Sequence, residues 1–246
     1  METNTVKLTY HESDTVALVT LLTHTIDVEI VRDYNAALDH VLSTEGPRCL
    51  ITTAAHPKIF CAGLNFEVFT RHSADVTNFI SEYCRLLGRL LALPIPSIAA
   101  INGHALAGGF MLIMAHDIRI AVDKSIKYGM TEIKMGATIP KGMLAPLKAK
   151  LAPKPLIQIN LLGDIIDNEK AVEWHIVDKI VDQKDILNAS IKIASDLSAL
   201  GETRIAYEGI KYAMWGEHIE TANREGYDPY VEKSRKRLTE GMKTKL

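Results

Sequence analysis

Only three cysteines, Cys49, Cys61 and Cys84, occur in 246 residues, with no CxxC pair and no framework spacing. A disulfide scaffold is excluded on that count, and a reducing compartment is expected. No apolar run reaches the ~18 residues needed to cross a bilayer, so no membrane span is expected. An excess of one charge sign is missing as well: 28 Lys+Arg stand against 30 Asp+Glu, a formal net charge of −2. That balance speaks against nucleic acid as the main partner, because a phosphate backbone recruits basic surfaces. The nine histidines show no HExxH or other ligand spacing, so no metal is indicated. Internal repeats and low-complexity tracts are absent. Met1-Glu-Thr-Asn-Thr5 has neither the apolar core of a signal peptide nor an Arg-rich presequence pattern, and secretion is not expected.

What is present is ordinary globular material, 47% hydrophobic and 24% charged. The length suits one α/β domain, or one core with a helical appendage. Hydrophobic patterning predicts strands over Val16–Thr23, Cys49–Ala55, Ile98–Ile101 and Ile118–Val122. It predicts helices over Val28–Leu42, Val76–Leu93 (stopped by Pro94-Ile-Pro96) and Gly108–Ala115. This alternation implies βαβ crossovers and a mostly parallel sheet with helices outside. After Pro140 the pattern turns helical, ending in a charged helix over about Ile219–Met242, with only Val177–Val181 extended.

Two strand-to-loop corners stand out. In Ser97-Ile-Ala-Ala-Ile-Asn-Gly-His-Ala-Leu-Ala-Gly-Gly-Phe110 an apolar run ends in Asn-Gly, and a Gly-Gly pair then opens a helix. The stretch from Cys49 to Asn65 repeats the form, with Ala62-Gly63 at its corner. Small residues allow tight turns and close backbone approach. Two such corners can aim two main-chain N–H groups at one oxygen, an oxyanion hole made of backbone.

Four motifs carry a resemblance: Phe60-Cys-Ala-Gly-Leu-Asn65, Ala100-Ile-Asn-Gly-His-Ala-Leu-Ala-Gly-Gly109, His116-Asp-Ile-Arg-Ile-Ala121 and Tyr128-Gly-Met-Thr-Glu-Ile-Lys-Met-Gly136. In order and spacing they resemble the crotonase (enoyl-CoA hydratase/isomerase) superfamily, from about Thr5 to at least Asp182. The resemblance implies an α/β fold, a crotonase-like spiral of ββα units over 1–182, with a helical trimerisation region over 183–246. It also implies an acyl-CoA thioester as ligand, no cofactor beyond the substrate's own CoA, and a homotrimer or hexamer.

Carried over residue by residue, the resemblance makes the N–H groups of Leu64 and Gly108 the oxyanion donors. Hydratases of the family carry two Glu residues; here Met111 stands at the first position and Glu132 at the second. A lone carboxylate suits moving one proton from C2 to C4 of the same substrate. In that, in the Ala-Gly-Gly corner and in Pro140, the chain resembles Δ3,Δ2-enoyl-CoA isomerases. Dienoyl-CoA isomerases place an Asp where Pro140 stands, which disfavours them. Lys58, Ala62, Met111 and Met135 are the substrate-binding candidates, with Met130 and Met143 as further wall residues, although each Met also suits an ordinary core.

Several positions keep two readings. Lys58 is either an exposed loop lysine or a base near the CoA phosphates, and Lys233-Ser-Arg-Lys-Arg237 either a solvated helix face or a contact for the 3′-phosphate. Cys61 is a small buried residue or a thiol nucleophile beside the corner. Asp117, Arg119, His104 and His116 read as structural. His175 stands where relatives have a Gly ending a helix in a left-handed turn. Thr244-Lys245-Leu246 differs by one methyl from a Ser-Lys-Leu peroxisomal address, so the expected location is peroxisomal or cytoplasmic. The leading expectation is an isomerase of β-oxidation. The alternatives are a non-catalytic acyl-CoA-binding subunit or scaffold, and a hydratase working with Glu132 alone.

Overall fold

A computed structural model of the chain describes residues 1–46, 48–70, 72–224 and 229–243. In chain order the elements are β1 (Val6–His11), β2 (Val16–Leu21), α1 (Val28–Leu42), β3 (Cys49–Ala54), β4 (Ile59–Cys61), α2 (Ser73–Leu91), β5 (Ser97–Ile101), β6 (His104–Leu106) and α3 (Gly108–Ala115). There follow β7 (Ile118–Val122), β8 (Tyr128–Gly129), α4 (Glu132–Met135), α5 (Lys141–Lys150), α6 (Pro153–Asn160) and β9 (Ile165–Ile166). The last are α7 (Asn168–Glu173), β10 (Lys179–Val181), α8 (Ile186–Leu197), α9 (Arg204–Asn223) and α10 (Pro229–Lys243).

The strands form two sheets, of order β1-β2-β3-β5-β7-β10 and β4-β6-β8-β9. Apart from the antiparallel β1·β2 and β8·β9 pairs, all neighbours run parallel. The chain climbs through three successive ββα units: β3-β4-α2, β5-β6-α3 and β7-β8-α4. The first strand of each unit joins the six-stranded sheet and the second joins the four-stranded one. Each unit therefore advances by one strand spacing, about 4.8 Å. The fold is α/β with helices following the spiral.

Local chemistry accounts for the elements. β3 and β5 are buried along their whole length, as strands covered on both faces must be. In α1 the residues Ile30, Val31, Tyr34, Leu38 and Val41 repeat at helical spacing and are buried, and the Asp27 side chain caps the helix by accepting from the Ile30 N–H at 3.0 Å. Every residue of α3 is buried, so this helix lies inside the molecule and packs against α2, α5, β4 and β6.

Three expectations need correction. The short strands β4, β6, β8 and β9 escape a reading by alternation because two or three residues carry no period. After Pro140 two strands are present, β9 as well as β10. The expected helix beginning near Ile219 is two elements: Ile219 belongs to α9, which breaks at Trp215 (φ −133°), and α10 begins at Pro229. The region after 182 begins with α8, which packs on β2, β3, β5 and β7, whereas α9 packs on α2 and α5. Among the described residues no helix is long and apolar enough to cross a membrane.

Candidate active site

The second strands of the three units, β4, β6 and β8, are adjacent and parallel, so their C-terminal ends lie side by side. Each end turns into a corner that carries one candidate residue: Leu64 after β4, Gly108 after β6, Glu132 after β8. Residues separated by 68 positions thus come together because equivalent points of a spiral stack. Open α/β sheets likewise bind ligands outside the carboxyl ends of their strands.

At the first corner Gly63 has φ +101°, and a Cβ there would sit 2.7 Å from Ala107 Cβ and 3.0 Å from the Gly108 nitrogen. Only glycine tolerates both the backbone and the approach. The Ile26 N–H donates to Gly63 O at 2.8 Å, and the Asn65 N–H donates to Ile26 O at 2.7 Å. In a parallel bridge these flanking groups serve the partner strand, so the N–H of Leu64 itself turns away from Ile26. Among the described residues it has no protein acceptor.

At the second corner Ala107 holds φ +50° and ψ −124°, a sparsely populated conformation for a residue with a Cβ. Its N–H donates to Gly129 O at 2.8 Å, and its carbonyl accepts from the Phe110 and Met111 N–H groups at 3.0 and 3.1 Å. The buried Tyr83 hydroxyl donates to Gly108 O at 2.6 Å, clamping the following peptide. Among the described residues the Gly108 N–H, at the positive end of α3, has no protein acceptor. A Cβ at Gly109 would lie 2.2 Å from Cys61 O, so glycine is what lets α3 press against the end of β4 and bring the two corners into contact.

Glu132 opens α4, which Gly136 ends in a left-handed turn (φ +71°). Its Oε2 is buried without a hydrogen-bond partner. Burial raises its pKa, and nearby backbone N–H groups of Glu132 and Thr131 offset this only in part.

A cavity of about 390 Å³ joins the three corners. Ala62, Leu64, Gly108, Met111, Glu132 and Met135 line it, as do Pro140 and Met143. Phe66, Phe69, Ile80 and Val231 supply the apolar wall. Glu132 is the only carboxylate among its described lining residues, and the position that a second one would take is the buried thioether of Met111.

Lys58 is not among the lining residues; its backbone N–H instead donates to His56 Nδ1 at 3.2 Å. Met130 is buried away from the lining. Burial pushes the Cys61 thiol up to about 12, and the side chain is not part of the cavity, which leaves it the small-residue role. From the basic cluster only Ser234 and Arg235 reach the cavity, and Arg235 is held by Glu232 through two contacts of 2.9 Å. Ser234 ties α10 over the site: its Oγ accepts from the Thr138 N–H at 3.1 Å and donates to Gly136 O at 3.0 Å. The tripeptide Thr244-Lys245-Leu246 lies outside the described residues.

The sequence pattern of the enoyl-CoA hydratase/isomerase family matches residues 11–217, a span that contains both corners and Glu132. The chain belongs to this family. It is 28% identical over 170 residues to the mitochondrial methylglutaconyl-CoA hydratase of Mus musculus, covering 69% of this chain and 54% of that protein. To the carnitinyl-CoA dehydratase of Citrobacter koseri it is 29% identical over 150 residues, covering 61% of this chain and 57% of that protein. The matched region thus spans about half the length of these relatives. In fold it is similar to an enoyl-CoA hydratase/isomerase family protein from Pseudomonas syringae, with a TM-score of 0.79, 24% identity, and 94% and 97% of the two chains covered.

Among the lining residues that sequence reasoning missed are Phe66, Phe69, Ile80 and Val231. Phe66 and Phe69 follow the first corner at a helical spacing that could have marked them. Nothing local marks Val231, which reaches the cavity only because α10 folds back over it.

Proposed function

We propose that this protein is a Δ3,Δ2-enoyl-CoA isomerase that converts 3-enoyl-CoA to the 2-trans isomer during fatty-acid β-oxidation. The observation that carries the reading is that Glu132 is the one carboxylate among the described residues of the cavity, which it lines together with the thioether of Met111. Leu64 and Gly108 N–H groups hold the thioester oxygen. Glu132 takes a proton from C2, the electron pair spreads over O, C2 and C4 as a dienolate, and the same carboxyl returns the proton to C4. Negative charge grows on the oxygen in this step, where two preorganised N–H donors stabilise it most. The raised pKa of Glu132 makes it both a stronger base and a competent acid. No cofactor beyond the substrate's CoA is needed, and the assembly is a homotrimer or hexamer.

The names of the relatives favour a second reading, addition or removal of water. A hydratase needs a second acid–base group around that water, and Met111 cannot serve. Purified protein given a 3-enoyl-CoA should conjugate the thioester, seen as ultraviolet absorbance, and Glu132→Gln should lower kcat at least ~10³-fold with acyl-CoA affinity little changed. Turnover of 2-enoyl-CoA to a hydroxyacyl-CoA without isomerisation would establish the hydratase instead. Tight acyl-CoA binding without either reaction would establish a non-catalytic subunit.

A further inference from the structure

The helix that offers the Gly108 N–H has a charged group at its other end. Lys150, the last residue of α5, donates from its ammonium to the carbonyl of His116, the residue that caps α3. Arg119 donates to the same carbonyl at 2.8 Å and to Asp117 O at 3.2 Å. The Lys150 ammonium also lies 4.7 Å from the Trp215 ring centroid on α9. α3 has eight residues, so at about 1.5 Å per residue this cation sits about 12 Å behind Gly108 along the helix axis. A cation there complements the negative end of the helix and adds to the field at the positive end.

The surroundings make Lys150 the variable charge of the group. Burial pushes it down to about 7; Asp117 and Asp178 favour its charged form, while Arg119 and Lys211 oppose it. His116, pushed down to about 4 by burial, stays neutral beside it. On α9 the Lys211 ammonium and Tyr207 hydroxyl both point to Asp117 Oδ2, at 2.9 and 3.2 Å. Arg119 pairs with Asp178 at 3.1 Å. None of these residues lines the cavity, so an effect on the reaction has to pass through α3.

We propose that Lys150 is a positioning residue of the reaction, which seats the C-terminal end of α3 and thereby sets how strongly the Gly108 N–H polarises the thioester oxygen. The proposal rests on Gly108 being an oxyanion donor, and it holds for any thioester chemistry at this site.

The test uses p-dimethylaminocinnamoyl-CoA, a push–pull thioester whose absorption moves to longer wavelength when its oxygen is hydrogen-bonded. It is bound to the full-length Glu132→Gln protein, so that the carboxylate does not titrate. The red shift is expected to be full at about pH 6 and to shrink as pH rises through the Lys150 range of about 7. Adding Lys150→Met should give a smaller shift that no longer depends on pH, and Lys150→Arg should hold the full shift to about pH 9. With Glu132 intact, Lys150→Met should lower kcat by about 3- to 10-fold and leave KM within about twofold. A Lys150→Met protein with the parent's shift and pH dependence would overturn the proposal. Should that variant not fold, Lys150→Arg decides: a shift still lost near pH 7 overturns it. Absence of any red shift would remove the Gly108 donor and this proposal with it. A red shift that obeys Lys150, in a protein that does not turn over 3-enoyl-CoA, would remove only the isomerase reading.

Discussion

Glu132 is held without a partner for its inner oxygen, in surroundings that raise its pKa. Its folded pKa lies above the unfolded value of about 4.3, so the folded chain binds this proton more tightly. Stability from the group is therefore full at acid pH and declines as pH rises through the folded value, because the charge is then partly desolvated and only partly offset by backbone N–H groups. Glu132→Gln should raise Tm at pH 7.5, with the gain fading towards pH 4 in thermal unfolding runs at the two values. The same shift should place the acid limb of kcat/KM above the ordinary carboxylate range; a limb near 4 would move the base elsewhere. Met111 makes the complementary test. Met111→Glu puts a second carboxyl in the cavity, where like-charge repulsion raises one of the two pKa values. Isomerisation should not improve, and trace hydration of a 2-enoyl-CoA is the expected gain. A several-fold rise in isomerase activity would contradict the single-base argument. Both residues were legible in the sequence through their place in motifs. The burial that raises the pKa of Glu132 was not, since the residues that line the cavity with it come from segments far apart in the chain.

Elements show where small residues are obligatory and where they are not. Gly63 faces Ala107 and the Gly108 nitrogen too closely for any Cβ. Gly63→Ala should displace one oxyanion donor and lower kcat by about 10²-fold or more, measured at saturating substrate. His175 is the opposite case. It ends α7 with φ +56°, its N–H donates to Val172 O at 3.0 Å, and the Ile176 N–H donates to Ala171 O at 2.8 Å. These two bonds make a Schellman turn with His in place of the usual Gly. The left-handed turn expected at His175 is therefore present in spite of the side chain. Relieving the Cβ strain, His175→Gly should stabilise the fold by about 1 kcal/mol, roughly 2–4 °C in Tm for a chain of this size, with kcat unchanged. A lower Tm would mean that the imidazole contributes more than its strained backbone costs. α1 matched its expected bounds because an apolar face repeats along it, and α3 because an unbroken apolar run follows its Gly-Gly pair and ends before the polar His116. The two- and three-residue strands of the smaller sheet did not, because their pairing is decided by neighbours far away in the chain.

Across the whole molecule the proposed chemistry depends on shielding. α10 lies over the cavity, fastened by Ser234 to the Gly136–Thr138 turn. A carboxyl kept from water should carry the same proton from C2 to C4, so a substrate deuterated at C2 should yield single-turnover product with deuterium at C4 above the solvent-exchanged level. Ser234→Ala should loosen the helix and lower that retention. Complete loss of label in the unmodified protein at the shortest times would argue for a water-relayed route. The sequence by itself determined the two glycine corners, the lone Glu132, the thioether at Met111 and the alternation of strand and helix. Each of these is written in residue type and short spacing. The tertiary structure alone decided that Leu64, Gly108 and Glu132 share one cavity, because stacking of the ββα units sets which corners become neighbours. It also decided which residues close that cavity and which charge stands behind α3. Val231 and Lys150 reach their places through long-range packing of α10 and α5, and no local pattern in a chain records where a distant helix comes to rest.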